Sequence, residues 1–536
     1  MSQPLHAVDL FGAYGDETVL SGVDLLANPG EPVGVVGENG VGKSTLLRLV
    51  AGVEEASSGF VQRPGDLGYL AQELAAPPGA SVAAVLADAL APLHTAVCRL
   101  EQLAHQLDDP GAADAYADTL LWAQSHDAWD ADRRALLASQ RLGISHIDPS
   151  RPVSQLSGGE RTRLAMAAVI ARRPECVVLD EPTNHLDDDA VAFLEDFLRE
   201  LPGVVLVASH DRVFLDRVCA VIVDLDAAHF GVDGQGGNRY SGGFTAYLAH
   251  KAAARRRWER AFAEQQEELN ELRVAAKTTA RQVAHNRPPR DGDKYLYHFK
   301  GGNVQATIRR RVRDAEHRIE VIERDSIPKP PEPLSFSQPL TAKDRLGRGC
   351  VVVSLRDVSV PGRLCLDRLD VSAGQHLLVT GANGSGKSTL LQLVSGRLEP
   401  ASGLVRTSAR RIGMLPQEVG FVRPRRTPQE VYDAALPDGP VPLSDLGLLH
   451  PRELSRPVGV LSTGQQRRLA LAILVAGRAD LLLLDEPTNH ISLALASELE
   501  NALDRSPGAL MVASHDRWLR RRWDGPTYHL QRTRPA

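Results

Sequence analysis

The chain carries the same ordered set of five short motifs twice, at an offset of about 300 to 345 residues. The first set is GENGVGKST (37–45), YLAQE (69–73), LSGGE (156–160), CVVLDEPTNHLD (176–187) and ASHD (208–211). The second set is GANGSGKST (381–389), MLPQE (414–418), LSTGQ (461–465), LLLLDEPTNHIS (481–492) and ASHD (513–516). An ordered repeat of this kind predicts two copies of one domain in tandem.

The motifs fall on a pattern of strands and helices that predicts an α/β fold. EPVGVVGENG and QHLLVTGANG are apolar, β-rich runs that break into glycine before a helix-like stretch. CVVLD and LLLLD are continuously apolar and end in acid, as buried parallel strands do at the carboxyl edge of a doubly wound sheet. Since 536 residues exceed what one core usually serves, we expect domains at about 1–240 and 331–536, with a linker at 241–330.

Each glycine-rich loop has the pattern GxxxxGK[ST], which is typical of a phosphate site. Its glycines let backbone N–H groups wrap the β- and γ-phosphates of ATP, and the following helix adds partial positive charge. We expect Lys43 and Lys387 to hold phosphate oxygens and Ser44 and Ser388 to ligate Mg²⁺. The alternative is a glycine-rich turn without nucleotide, which the matched acidic strands disfavour. The predicted ATP-binding residues of the two loops are Gly37, Asn39, Gly40, Gly42, Lys43, Ser44, Thr45, Gly381, Asn383, Gly384, Gly386, Lys387, Ser388 and Thr389.

The acids that end the apolar strands predict the catalytic groups. Asp180 and Asp485 are placed to hold the metal through water, and the adjacent Glu181 and Glu486 are candidate general bases for the attacking water. The less favoured alternative for such a glutamate is a charge at a helix amino terminus.

The histidine of each ASHD motif follows a second apolar strand. There, the imidazole of His210 or His515 would reach the γ-phosphate. A lone histidine at such a place is more often a packed or exposed one, but the matched order in both halves favours the catalytic interpretation.

With LSGGE and LSTGQ beside GKST and DEPTNH, the chain resembles the ATP-binding-cassette (ABC) superfamily. The resemblance implies two P-loop cassettes, which we call the first and the second cassette, each holding ATP between its own phosphate loop and the other's signature. One site would combine Lys43, Gln72, Asp180, Glu181 and His210 with Ser462 and Gly464. The other would combine Lys387, Gln417, Asp485, Glu486 and His515 with Ser157, Gly158 and Gly159. In this family Gln72 and Gln417 also face the metal.

The two sites depart from each other in three places, so we predict that they are unequal. Thr463 stands where the first signature has Gly158, and Ser492 stands where the first cassette has Asp187. Tyr14 offers an adenine-stacking ring before the first phosphate loop, whereas the corresponding stretch DVSVPGRL (357–364) has no aromatic residue.

The linker has a different character from the cassettes. Its charged sequence has apolar residues at helical spacing over about 247–283 and 303–324, which predicts an antiparallel helical hairpin. The two stripes are Trp258, Phe262, Leu269, Leu272, Ala276 and Val283, and Ile308, Val312, Ala315, Ile319 and Ile322.

The turn of this hairpin, at about 284–303, is basic and aromatic. The segment 277–313 holds ten Lys and Arg against two Asp, in a chain whose net charge is -6. This polarity favours an RNA partner, since phosphates attract cations and rings stack on bases. The alternative is a solvated coiled coil that only spaces the cassettes. The candidate RNA-contacting residues are Arg287, Arg290, Lys294, Tyr295, Tyr297, His298, Phe299 and Lys300.

Tandem cassettes with DEPTNH in both halves and a basic helical linker resemble the F subfamily of ABC ATPases. Members act on ribosomes: the linker enters the tRNA exit site, and its tip approaches the tRNA and the peptidyl-transferase region. The longer Gln72–Leu156 interval implies an arm insertion at about 93–131, which touches the large subunit. Arg outnumbers Lys by 53 to 8, and with the long tip and the NHIS sequence this is most like the antibiotic-resistance members of actinomycetes, of the tylosin and oleandomycin resistance type.

The resemblance implies a monomeric ATPase, its cassettes forming an intramolecular dimer, that displaces a macrolide- or lincosamide-type drug from the large ribosomal subunit. A housekeeping translation factor for stalled or idle ribosomes is the alternative, and the ATPase subunit of a drug exporter is a third. Five cysteines without CxxC spacing predict a cytoplasmic chain with reduced thiols. The sequence shows no signal peptide and no uncharged run of 18 apolar residues, so we expect no membrane segment.

Overall fold

The computed structural model divides the chain into two compact units. It describes residues 3–14, 17–37, 40–71, 79–184, 186–226, 239–282, 310, 312–330, 340–341, 349–382, 384–437, 441–488, 491 and 493–531. One unit comprises Met1–Asp226, Arg239–Thr245 and Pro333–Ala536, and it therefore contains both cassettes. The other comprises Ala227–Asn238 and Ala246–Glu332, the linker.

The first cassette combines a mainly parallel sheet, whose edge strand β9 is antiparallel, with a smaller antiparallel sheet and helices. Its six-stranded sheet has the order β5-β6-β7-β3-β8-β9, and its three-stranded sheet has the order β2-β1-β4. The strands are β1 (Leu5–Tyr14), β2 (Glu17–Ala27), β3 (Val33–Val36), β4 (Ser58–Gln62), β5 (Leu67–Leu70), β6 (Cys176–Asp180), β7 (Val204–Ala208), β8 (Val221–Asp224) and β9 (Arg239–Ser241). The helices are α1 (Lys43–Ala51), α2 (Val82–Ala104), α3 (Pro110–Ser125), α4 (Ala131–Arg141), α5 (Gly158–Arg172), α6 (Asp188–Glu200) and α7 (Arg212–Val218).

The second cassette repeats this architecture. Its five-stranded sheet has the order β14-β15-β16-β12-β17, which corresponds strand for strand to β5-β6-β7-β3-β8, and its three-stranded sheet has the order β11-β10-β13. The strands are β10 (Val351–Val360), β11 (Leu364–Ser372), β12 (His376–Thr380), β13 (Ser402–Thr407), β14 (Ile412–Leu415), β15 (Leu481–Asp485), β16 (Ala509–Ala513) and β17 (Thr527–His529). The helices are α10 (Lys387–Val394), α11 (Pro428–Ala435), α12 (Thr463–Gly477), α13 (Leu493–Asp504) and α14 (Arg517–Arg522). The predicted α/β fold with two tandem cassettes is confirmed.

The central strands are buried along their whole length, which explains their apolar sequences. Every residue of β6, β7, β15 and β16 is buried. Since β6 and β7 run parallel, with Asp180 opposite Ala208, both strands end at the same edge of the sheet. In β15 and β16, Asp485 lies opposite Ala513 in the same register. Each cassette thus presents its acidic motif and its ASHD motif side by side.

The interval between the Gln72 motif and the first signature forms a small helical layer. Leu90, Leu93, Ala96 and Leu100 of α2 are buried in a core shared with α3, α4 and Ala171 of α5. In the described part of the chain, α2 is also the one helix whose length and composition would suffice to cross a membrane, and a single helix of this kind is weak evidence for a span.

The linker contains the long helix α8 (Phe244–Gln282), followed after a gap in the description by a helix at 312–324, α9. The two run antiparallel, because an early residue of α8 contacts a residue beyond the end of α9 and a later residue of α8 contacts one inside α9. The indole of Trp258 donates to the carbonyl of Pro328 (2.9 Å), and Arg273 pairs with Glu323 (2.7 Å). The predicted helical hairpin is therefore confirmed for the described residues, whereas the predicted tip at 284–303 lies outside them.

Candidate ATP sites

Each phosphate loop leads directly into a helix whose first residue is the motif lysine. The ammonium of Lys43 donates to the carbonyl of Gly37 at 2.9 Å, and that of Lys387 donates to Gly381 at 2.9 Å. Both lysines are buried. Each ammonium group is thereby hydrogen-bonded to its own phosphate loop at the amino terminus of α1 or α10. The helix dipole also favours an anion at this place.

The loop glycines adopt backbone conformations that other residues rarely take. Gly40 and Gly384 have φ of 87° and 80°, and apart from the chain neighbours no heavy atom of the described residues lies within 4 Å of where a Cβ would stand. Gly42 and Gly386, with φ of 102° and 94°, would place a Cβ 2.7 Å from Leu20 and 2.5 Å from the Arg363 carbonyl. The loops therefore leave open space above a backbone that only glycine can form, as a phosphate cradle requires.

The donor set for Mg²⁺ has the right chemistry in both cassettes. Hydroxyl groups of Ser44 and Ser388 hydrogen-bond the carboxyl groups of Asp180 and Asp485. Burial raises the pKa of both aspartates despite these bonds. One carboxyl oxygen of Asp485, Oδ1, is buried without a hydrogen-bond partner among the described residues. Hard oxygen ligands of this kind fit Mg²⁺ held between protein and phosphate.

The candidate bases sit on strained backbone just beyond the strands. Glu181 and Glu486 have φ of 49° and 46°, in the left-handed region that residues with a side chain seldom occupy. Their backbone N–H groups donate to Ala208 and Ala513, each at 2.8 Å. Bonds to the neighbouring strand thus fix this conformation in both cassettes.

The first base is buried among few donors. The Glu181 carboxylate accepts from the backbone N–H of His210 (3.1 Å), and the imidazole Nε2 lies 3.4 Å from its other oxygen. Its side chain is 14% exposed. Burial raises the pKa of Glu181 to about 8, although the charge of Lys43 opposes the shift.

The second base receives more donors. Its carboxylate accepts from the backbone N–H of His515 (3.2 Å) and from the hydroxyl of Ser514 (3.2 Å), and the ring Nδ1 of His515 lies 2.8 Å away. Burial opposes the charged imidazole, but the hydrogen bond from it to Glu486 and the charge of that carboxylate raise the pKa of His515. In the first cassette the corresponding hydroxyl, of Ser209, contacts Thr183 at 3.3 Å.

The signatures cap helices and remain open to solvent. Ser157 forms a capping box with Glu160 at the start of α5, and Ser462 forms one with Gln465 at the start of α12. Both serines are exposed, as are Gly158 and Thr463, so none of the described residues of the opposing phosphate loop covers them. Gly159 and Gly464 lie in the same first turns.

Some predicted residues lie outside the described residues. Gln417 is not one of these, since it is described and lies exposed just after β14. Tyr14 ends β1, but its side chain is among those not described. The others are Asn39, Gln72, Asn383 and the tip residues Arg287, Arg290, Lys294, Tyr295, Tyr297, His298, Phe299 and Lys300.

Comparison with known proteins decides the family. The family model for ABC transporters matches residues 20–184 and 367–489. The tylosin resistance ATP-binding protein TlrC of Streptomyces fradiae is 39% identical over 99% of this chain and 98% of its own length. This chain is an ABC ATPase of the F subfamily. The two cassettes accordingly imply ATP binding and hydrolysis.

Further relatives of this ABC ATPase carry names from translation. The energy-dependent translational throttle protein EttA of Mycobacterium tuberculosis is 31% identical, over 94% of this chain and 87% of its own length. A crystal structure of an archaeal ribosome recycling factor with a ribosomal stalk protein aligns over 95% of this chain and 85% of that one, with a TM-score of 0.57 and 18% identity. At that identity the likeness concerns the fold alone.

The ABC cassettes contact each other through ion pairs that the motif analysis missed. Arg212 follows the first ASHD motif and pairs with Glu500 of α13 and, at 3.1 Å, with Asp516. Arg517 follows the second and pairs with Glu195 of α6 at 2.6 Å. We call these the cross-cassette pairs. They are related by the internal repeat, since Arg212 and Arg517 stand at the same place in the two halves.

Each glutamate of the cross-cassette pairs also has an arginine from its own cassette. Arg217 pairs with Glu195 at 2.8 Å, and Arg522 pairs with Glu500 at 3.3 Å. The ring of Trp518 lies 5.3 Å from the Arg212 guanidinium, within range of a cation–π contact. An arginine directly after each ASHD motif is the sequence signal that would have pointed to this interface.

Proposed function

We propose that this ATPase binds the ribosome in the cytoplasm and protects the large subunit from antibiotics of the macrolide or lincosamide type. The observation that carries the proposal is the similarity to TlrC, named for tylosin resistance, which extends over 99% of the chain and thus includes the linker. Tylosin is a macrolide, so the drug class follows from that relative's name.

The linker supplies the reach and the charge for this role. Its helices α8 and α9 are held together by Trp258 and by the Arg273–Glu323 pair. The ten cations of 277–313 would meet rRNA and tRNA phosphates, and the three rings among them would stack on bases. In the proposed complex the linker enters the tRNA exit site, and its tip displaces the drug.

ATP binding would drive this change by closing the two cassettes on each other. Each exposed signature serine, Ser157 or Ser462, would then face the phosphates held by Lys387 or Lys43. Mg²⁺, held by Ser44 with Asp180 and by Ser388 with Asp485, would neutralise phosphate charge in the transition state. Glu181 and Glu486 would take a proton from the attacking water, and hydrolysis would release the protein from the ribosome.

A translation factor that acts on stalled or idle ribosomes is the second candidate. The similarity to the translational throttle protein EttA, at 31% identity over 94% of the chain, favours it. This function would use the same sites and the same linker, and would differ only in conferring no protection from the drug.

Trapping tests ribosome binding. The Glu181→Gln/Glu486→Gln variant should bind ATP without hydrolysing it and cosediment with ribosomes, whereas Lys43→Ala/Lys387→Ala, which lacks the phosphate-binding cations, should not. Absence of the glutamine variant from the ribosomal fraction with ATP present would contradict both candidates.

Drug challenge separates the two candidates. Expression in a sensitive host should raise the inhibitory concentration of tylosin or lincomycin several-fold, and replacing Arg287, Arg290, Lys294 and Lys300 by Gln should abolish the rise. Ribosome trapping without any rise for either drug would favour the translation factor.

A further inference from the structure

Arg467 occupies an unusual place in the second ATP site. It lies in α12, five residues after Ser462, and is only 2% exposed. Its guanidinium donates to the carbonyl of Gln417 at 2.8 Å and to that of Asp485 at 3.0 Å. It also donates to the carbonyl of Glu486. One side chain thus joins the signature helix, the Gln417 motif and the acidic motif.

The bonding chemistry suits a rigid connector. Guanidinium is planar and carries five N–H donors in a fixed fork, so it can hold three carbonyls in one arrangement, which the flexible ammonium of lysine does less well. Burial lowers the pKa of Arg467 to about 10, while the charges of Asp485 and Glu486 oppose the shift. The side chain therefore stays cationic at neutral pH.

The first cassette has a different residue at this position. Thr162 lies five residues after Ser157, and its hydroxyl donates to the carbonyl of Gly158 within the same helix (3.1 Å). The carbonyl of Glu181 instead accepts from the backbone N–H of Asn184, at 3.2 Å. Arg467 links the signature helix to the carbonyl of Glu486. Thr162, at the matching position of the first cassette, makes no such link to the carbonyl of Glu181.

We propose that Arg467 is a positioning residue that makes the second ATP site the faster of the two. Glu486 has a strained φ of 46°, with its N–H fixed by Ala513 and its carbonyl fixed by Arg467. Held on both sides, its carboxylate is preset towards the attacking water, and the same guanidinium ties that peptide to the Gln417 backbone. The proposal rests on ATP hydrolysis alone, and ribosome-free assays therefore test it separately from the ribosomal function.

The test uses the full chain carrying Glu181→Gln, so that hydrolysis reports on the second site. Arg467→Lys and Arg467→Gln should lower kcat about 10- to 100-fold, as misplacement of a catalytic group does, with the KM for ATP changed less than about threefold. Lysine should retain more activity than glutamine, because it keeps the charge. The matched control is Arg468→Gln in the same helix turn, whose guanidinium lies 3.8 Å from Glu453, and it should leave kcat within about twofold.

A companion series in the Glu486→Gln chain separates positioning from effects on the signature. There the Arg467 variants should change the remaining hydrolysis by less than about threefold. A loss confined to this series would place the effect in the first site, through the adjoining signature, and equal losses in both series would show a general structural effect. Either result would overturn the proposal, as would an unchanged kcat in the Glu181→Gln series.

A folding control completes the design, because glutamine leaves buried carbonyls without donors. Thermal melts and ATP affinity are measured for every variant. A kcat loss in Arg467→Lys that came with an equal loss of ATP-binding sites would assign Arg467 to structure alone and would also overturn the proposal.

Discussion

The two ATP sites share one fold and one order of motifs but surround their bases differently. The Glu181 carboxylate accepts from the backbone N–H of His210, whereas that of Glu486 receives the N–H of His515 and the hydroxyl of Ser514. The imidazole stands 3.4 Å from the first carboxylate and 2.8 Å from the second. Two sites with the same backbone can therefore differ in electrostatics, because one or two hydroxyl or ring contacts decide how well a buried carboxylate charge is stabilised.

Removing each base in turn should have the largest effect. At pH 7 a Glu181 with a pKa of about 8 is mostly protonated in the nucleotide-free protein, so only a minor fraction of it is ready to accept a proton. We therefore expect Glu486→Gln to remove most of the steady-state phosphate release, on the order of tenfold, and Glu181→Gln to remove less than half. Equal losses in a phosphate-release assay at pH 7 would show that the sites work equally.

Breaking the cross-cassette pairs should cost stability unequally. The Arg212 side chain is 1% exposed and that of Arg517 is 13% exposed, so the loss of Arg212 removes the more deeply buried charge. After each substitution, Glu500 keeps Arg522 at 3.3 Å and Glu195 keeps Arg217 at the shorter distance of 2.8 Å. Arg212→Gln should lower the free energy of unfolding by about 3 to 5 kcal/mol, and Arg517→Gln by roughly half of that. Denaturant titration measures both, with Arg520→Gln, whose partner Asp188 is exposed, as a control expected to lose less than about 1 kcal/mol.

The pH dependence of stability should separate Glu181 from the rest of the chain. Its folded pKa of about 8 lies above the ordinary 4.5, so between these values the folded state binds more protons than the unfolded state. Stability from this group is complete below pH 4.5 and is lost as pH rises towards 8, by at most about 1.4 kcal/mol per pH unit.

Glu181→Gln removes that titration. Between pH 5 and 8, the unfolding free energy of the nucleotide-free variant should therefore fall less steeply than that of the parent chain. Lys43, Asp180, Asp211 and His210 face the same carboxylate and remain in both proteins. Parallel curves over this range would contradict the raised pKa.

The smallest effect is expected from the signature difference. Thr463 is exposed at the first position of α12, where Gly158 stands in α5. Thr463→Gly should change the free energy of unfolding by less than about 0.5 kcal/mol. If it nevertheless equalised phosphate release from the two sites, the signature rather than the bases would explain their difference.

Sequence alone predicted what is local. The helix predicted at about 247–283 is α8 (Phe244–Gln282), because its apolar spacing reports a buried stripe that includes Trp258 and Leu269. The apolar runs that end in Asp180 and Asp485 are buried parallel strands, as predicted. The motif residues also fall where strand, loop and helix meet, while their catalytic roles and the domain boundaries stay predictions.

Sequence could not predict what depends on docking. Arg212 and Glu500 are separated by 288 residues and meet only because the cassettes pack against each other. The role of Arg467 could not be predicted either, because an arginine in a helix is usually exposed. Only the tertiary arrangement of α12, β14 and β15 brings three carbonyls within hydrogen-bonding distance of its guanidinium.

In the proposed mechanism, the cross-cassette pairs would make ATP-driven closure a rotation about an existing contact. Because these contacts keep the two halves attached while the signature serines stay open, neither half has to find the other by diffusion. Each closing movement would begin from a contact that already exists. The entropy lost in bringing the two halves together was already lost when the chain folded. In the proposed mechanism, little of the binding energy of the nucleotides would then go into bringing the two halves together.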